Sequence, residues 1–218
     1  MALNAYLSSV QRLLHDTSGI YSVSDLTIYI NTARDQIALE SECIRVLPAN
    51  NTTSVGQEVY TFASVNALIK ATYPGVNGIN SVKSVAVSWG TYKPVLDHKV
   101  WSDFQAYLRS YSNLIQNYPE VWSQYAQGAS GSVYLWPIPS QITSMDWDCI
   151  CSPLDLIQDA DPEAIPYPWS STIPYFAAFL ALLNAQRPTQ ADEMLKRYDF
   201  FMKRARASVD STFTPSFY

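Results

Sequence analysis

"PYPWSSTIPYFAAFLALLNAQRP", residues 166–188, is the stretch on which the reading of the fold turns. From Ile173 to Leu183 the hydroxyl of Tyr175 is the only polar side-chain group, so an isolated helix here would have no face to offer water. A membrane-spanning helix needs roughly 20 apolar residues, about twice what this run supplies. The expectation is a helix buried on all sides, within a bundle or between subunits. Trp169, Tyr175, Phe176, Phe179, Leu180 and Leu183 would do the packing.

Working outward from it, "QRP" marks a turn into a last helix starting at Thr189, and the two helices should form a hairpin. Thr189 and Asp192 have the spacing of a capping box, and Asp192 and Glu193 sit at the positive end of the helix dipole. Ala191, Met194, Leu195, Tyr198, Phe201, Met202, Ala205 and Val209 form its apolar face. Lys196, Arg197, Lys203, Arg204 and Arg206 form a basic stripe, read either as a solvated face or as a surface for phosphate backbone or an acidic subunit.

Near the other end of the chain, Ser24 reads as the N-cap of a helix over "SDLTIYINTARDQIALESECIRV", with Leu26, Ile30, Ala33, Ile37, Ile44 and Leu47 near helical spacing. Between the helical ends, residues 57–62, 81–89, 132–139 and 145–151 alternate or cluster β-branched and aromatic residues and read as four strands. "HKVWSDFQAYLRSY" spaces Trp101, Phe104, Leu108 and Tyr111 for a short helix across the sheet. The expected fold is α+β: a helical bundle (1–48 and 164–210) interrupted by an antiparallel β-rich insertion (50–155), with an extended tail (211–218), all one domain.

Composition narrows the chemistry. A hydrophobic share of 48% over 218 residues is ordinary for a globular protein, and a net charge of −5 argues against a surface that grips nucleic acid everywhere. The N-terminus lacks the pattern of a secretory signal, so the chain is expected to stay in the cytoplasm where it is made. Cys43, Cys149 and Cys151 are read as reduced core residues, because the last two alternate on one strand face and no second Cys or His cluster supports a zinc site. His15 and His98 are the only histidines, and neither stands beside a nucleophile motif. Asp146 with Asp148, and Asp155, Asp159, Asp161 and Glu163 in "PLDLIQDADPEAIP", could serve glycoside hydrolysis or hold a hard cation, or could be solvated loop acids that cap helices. The aromatic-rich stretch from Trp101 to Trp147, which includes Tyr107, Tyr118, Trp122, Tyr125, Tyr134 and Trp136, could stack on sugars or fill a core and a subunit interface. No cofactor or metal is expected.

The ordered segments "YTFASVNALIKATYPGV", "VSWGTYKPVLDHKVWSDFQAYLRSY", "PEVWSQYAQGASGSVYLWPIPS", "CSPLDLIQDADPEAIPYPWSSTIPYFAAFLALLNAQ" and "ADEMLKRYDFFMKRARAS" together resemble the head-to-tail adaptor proteins of short-tailed bacteriophages. The resemblance runs from about Ser24 to Ser208 and lies in the order and spacing of the segments. It implies a structural virion protein at the head-tail junction, without enzymatic activity. Such a protein forms a ring, commonly of twelve copies, that docks beneath the portal protein, receives tail nozzle or fibre proteins, and contacts genomic DNA non-specifically in its channel. No membrane is involved. The resemblance also implies that the C-terminal segment reaches the portal, with Phe213, Pro215, Phe217 and Tyr218 as anchors. A tail cell-wall hydrolase and an aromatic carbohydrate-binding tail module remain the alternatives.

Overall fold

The computed structural model describes residues 3–16, 19–108 and 116–210. Its helices, in chain order, are α1 (Leu3–Leu14), α2 (Val23–Ser41), α3 (Phe62–Thr72), α4 (Trp101–Asp103), which runs on as a π-helical turn over Phe104–Leu108, α5 (Ile173–Asn184) and α6 (Pro188–Asp210). The strands are β1 (Arg45–Val46), β2 (Val59–Thr61), β3 (Val76–Val87), β4 (Asp97–His98), β5 (Gln116–Asn117), β6 (Val121–Tyr125), β7 (Ser132–Trp136), β8 (Ile138–Pro139) and β9 (Met145–Pro153). The fold is α+β, with helices at both ends of the chain and strands between them. The chain divides into two compact units, Arg45–Ser152 and the segments on either side of it.

In the helical unit α5 packs against α1, α2 and α6. Leu3, Tyr6, Leu7, Val10 and Leu14 recur at helical spacing and give α1 its buried stripe. The N-cap of α2 is Ser22 rather than Ser24: its hydroxyl accepts from the Asp25 N–H at 3.0 Å and donates to the Asp25 carboxylate at 2.7 Å. This helix stops at Ser41 instead of continuing through Val46. Glu42 takes a left-handed conformation, φ 50°, and its N–H closes on the Ala38 carbonyl, after which Arg45 and Val46 pair with Ile150 and Cys149. The expected capping box at Thr189 is also absent. Ala191 N–H bonds the Arg187 carbonyl, so α6 opens with Pro188 in its first turn, where a missing N–H costs nothing.

The β unit holds a sheet ordered β1-β9-β3, a second ordered β2-β7-β6-β4, and the pair β5-β8. β1 with β9, β2 with β7 and β6 with β7 pair antiparallel, whereas β4 with β6 and β5 with β8 are parallel. The expected strand 132–139 is two strands, because Pro137 has no N–H to continue the ladder. Besides the two-residue strands β1, β4 and β5, two longer elements of this unit were not anticipated. β6 is one, and α3 the other, capped by Thr61, whose hydroxyl accepts from the Ser64 N–H. Phe62 opens α3 wholly buried and meets the equally buried Trp147 edge to face at 6.1 Å. The expected helix at 98–111 is present as α4 and its π-turn, with Phe104 packed on Trp136 and Ile138; the Leu108 side chain and Tyr111 lie outside the described residues.

Candidate functional site

α5 distributes its residues by size. Ala177, Ala178 and Ala181 are fully buried with Ile173 and Pro174, and Leu182 nearly so, which lets the neighbouring backbones approach closely. Phe176, Phe179, Leu180 and Leu183, at i, i+3, i+4 and i+7, line the opposite side; the first three are half-buried and Leu183 is 51% exposed. The expectation of burial on all sides therefore does not hold inside the subunit. Part of the stripe is covered by α6: Tyr175 stacks on Phe201 at 4.8 Å, and Phe176 leans on Tyr198 at 4.9 Å. Trp169, in a short turn before α5, is buried at 7% exposure.

The outer face of α6 carries all five basic residues, each exposed. Acids stand among them. Asp192, Glu193 and Asp199 precede Lys196, Arg197 and Lys203 by four residues, the favourable orientation for helical ion pairs. Arg197 bonds Glu193 at 2.6 Å, and Arg206 donates to the Glu40 carbonyl at 3.4 Å. The apolar face is as expected at Ala191, Met194, Tyr198, Met202 and Ala205, whereas Leu195 and Phe201 are half-buried and Val209 is 48% exposed. Tyr198 donates to the Glu40 carboxylate at 2.9 Å; burial first, then that carboxylate, raises its pKa.

The acidic loop is built differently from a cation site. Glu163 is buried at 6% side-chain exposure against Arg34 at 1%, and its oxygens accept from Arg34 Nη2 at 2.9 Å, Arg34 Nε at 3.2 Å and the Ile165 N–H at 2.9 Å. Arg34 Nη1 donates to the Leu154 carbonyl at 2.8 Å and to Asn31 Oδ1 at 3.2 Å. The buried Tyr6 hydroxyl beside this pair has a raised pKa, from burial foremost and then from Glu163. Glu163 is thus a structural anchor and not a solvated acid. Asp161 accepts from the Gln158 and Ile157 N–H groups at 2.7 and 2.6 Å, which hold its pKa low, and Asp159 accepts from the Asn4 N–H at 3.0 Å. Among the described residues no group of three His, Cys, Asp or Glu could hold a metal. Burial pushes the Cys151 thiol up to about 12 and raises Cys149 as well, so neither is poised as a thiolate nucleophile.

In the β unit, Asp148 pairs with Arg45 and Asp146 with Lys93, around a pocket of about 460 Å³. Two carboxylates already paired with cations are poorly placed for an acid and nucleophile couple. The aromatics divide into core and rim. Trp122, Trp136, Trp147 and Phe104 are buried, and the Tyr118 hydroxyl donates to the Val87 carbonyl at 2.9 Å. Trp101, Tyr125 and Tyr134 pack on one another with rings tilted 49° to 88°, so they form no flat platform for a sugar. Tyr107 and the four C-terminal residues Phe213, Pro215, Phe217 and Tyr218 lie outside the residues whose side chains are described. No helix of the described residues is long and apolar enough to cross a membrane.

No family model matches the chain, and no curated protein matches it in sequence.

Proposed function

We propose that this chain is a subunit of the head-to-tail adaptor ring of a short-tailed bacteriophage, a virion protein that joins the portal to tail nozzle or fibre proteins and makes and breaks no covalent bond. The observation that supports it, beside the ordered segments, is the inversion of α5. A helix serving its own subunit alone would turn large apolar residues inward and polar ones outward; α5 turns three alanines inward beside Ile173 and Leu182, and leaves Phe176, Phe179, Leu180 and Leu183 at least partly open where polar residues would be expected. In a closed ring of about twelve copies each subunit meets a neighbour on two sides through one heterologous interface, which can cover such a stripe.

On this reading Phe213, Pro215, Phe217 and Tyr218 anchor the C-terminal segment on the portal, and Lys196, Lys203 and Arg204 are the α6 cations that meet channel DNA or an acidic subunit. Interleaved acids keep that surface only weakly positive, consistent with DNA that must slide past without being held. The deciding measurement is the mass of the protein with and without its virus's portal protein, by sedimentation and negative-stain microscopy. A stoichiometric ring on the portal is expected. A chain that stays unassembled with portal present, or that clears a cell-wall suspension, overturns the proposal.

A further inference from the structure

Arg12 on the last turn of α1, His15 just beyond it, Arg187 in the turn between α5 and α6, and Gln190, Glu193 and Arg197 on the first turns of α6 line one pocket of about 460 Å³. Its base is apolar, with Leu14 and Leu182 buried beneath the polar rim. The chain as a whole carries −5, yet three of its 14 Lys and Arg residues converge here, with a single carboxylate among the described residues of the lining. Arg197 is bonded to that carboxylate at 2.6 Å.

Helix electrostatics account for only part of this cluster. Arg12 stands in the last turn of α1, where the negative end of the dipole favours a cation. Arg187 stands where two helix ends meet: its N–H closes on the Leu182 carbonyl at the negative end of α5 and its carbonyl accepts the Ala191 N–H as N-cap of α6, so the two dipoles act on its charge in opposite senses. Three guanidiniums on one pocket repel one another, and an anion between them relieves that repulsion. The geometry points to a binding site for a phosphate group, held by the Arg12 and Arg187 forks with the Gln190 amide as a neutral donor. A tetrahedral phosphate offers acceptor oxygens to several guanidiniums at once, whereas a lone carboxylate is satisfied by one fork. Glu193 sets the strength of the site by competing for Arg197. This inference does not depend on the adaptor reading.

The test titrates the full chain with inorganic phosphate, and separately with a short DNA duplex, at constant ionic strength in a calorimeter. Saturable phosphate binding is expected. Arg187→Gln should weaken it about tenfold, the loss of one charge-assisted hydrogen bond. Glu193→Gln should tighten it about threefold, by removing the competing charge; a change of that sign cannot come from damage to the fold. A duplex that binds with the same two sensitivities identifies the phosphate as nucleic-acid backbone, and phosphate binding without duplex binding identifies a small phosphate compound. Absent phosphate binding, equal binding by the Arg187→Gln protein, or binding of an acidic peptide but not of phosphate would each overturn the assignment.

Discussion

Ala178 and Leu183 lie on opposite sides of one helix, and the same substitution at each should have opposite consequences. Ala178 is fully buried. An aspartate there places a carboxylate in the core without a partner, at a cost of about 3–5 kcal/mol, a large part of the 5–15 kcal/mol that ordinarily separates folded from unfolded states. Leu183 is 51% exposed in the subunit. Burying a whole leucine side chain contributes about 1.5–3 kcal/mol, so losing the covered half costs about 1 kcal/mol and lowers the melting temperature by about 2–4 °C for a chain of this size. If the open stripe is a subunit interface, Leu183→Asp instead buries its charge at every junction of the ring, again about 3–5 kcal/mol, which weakens each junction by about two to four orders of magnitude. Circular dichroism melting of the isolated protein and sedimentation with portal separate the two effects. The Ala178→Asp protein should be unfolded or nearly so, and the Leu183→Asp protein folded but unassembled. A Leu183→Asp protein that forms rings on portal like the parent refutes the assignment of this face, and one as unstable as Ala178→Asp refutes the division of the helix into inner and outer sides.

Glu163→Gln should cost about 3–5 kcal/mol by leaving the Arg34 charge buried and poorly compensated, and pairing it with Arg34→Met should recover much of the loss; an unchanged melting temperature for Glu163→Gln would show that the pair is not anchored as described. Gly131→Ala should destabilise by about 1–3 kcal/mol, because a Cβ there overlaps the Phe62 ring while the backbone, at φ −67°, would accept alanine without strain; failure of Phe62→Leu to relieve any of that cost would disprove the steric cause. Asp35 stands on the outer face of α2, yet partial desolvation of its carboxyl by neighbouring side chains first, and Asp155 second, raise its pKa, with Arg34 opposing. A carboxyl whose folded pKa lies above its unfolded value lowers stability once pH exceeds the unfolded value, and this penalty fades as pH falls below it. Asp35→Asn should therefore raise the melting temperature at neutral pH and make no difference in strong acid, and a gain that persists at low pH would contradict the electrostatic origin.

What could be read from the sequence was what local pattern determines. α5 and α6 were legible because an unbroken apolar run and a long 3.6-residue period are each sufficient alone, and the α+β class followed from strand patterns between helical ends. The end of α2 was not, because Ile44 and Leu47 continue an apolar rhythm while the helix is in fact closed by a left-handed Glu42, a conformation the residue type does not announce. α3 was missed because β2 passes into it with no turn residues between: Thr61 both ends the strand and caps the helix. Glu163 looked like any other acid in "DADPEA", since its partner Arg34 is 129 residues away and only the fold brings them together. The Arg187 pocket was hidden for the same reason, being assembled from the ends of separate helices.

The contrast between α5 and α2 bears most directly on function. Both expose large apolar residues, yet on α2 Ile28 and Leu39 are separated along the outer face by Thr32 and Asp35, so each is a single apolar site surrounded by polar ones, which needs no explanation. On α5 the four large residues follow one another at i, i+3, i+4 and i+7 with nothing polar between them on that side. Core formation accounts for only part of the stripe: Phe176 packs on Tyr198 of α6, while Leu183 stays 51% exposed. Helix propensity cannot account for the rest, since phenylalanine is a poorer helix former than the lysine or glutamate an exposed position could carry. If the stripe is a subunit interface, as proposed, the steep change from Leu182 at 4% exposed to Leu183 at 51% marks where cover by a neighbour begins.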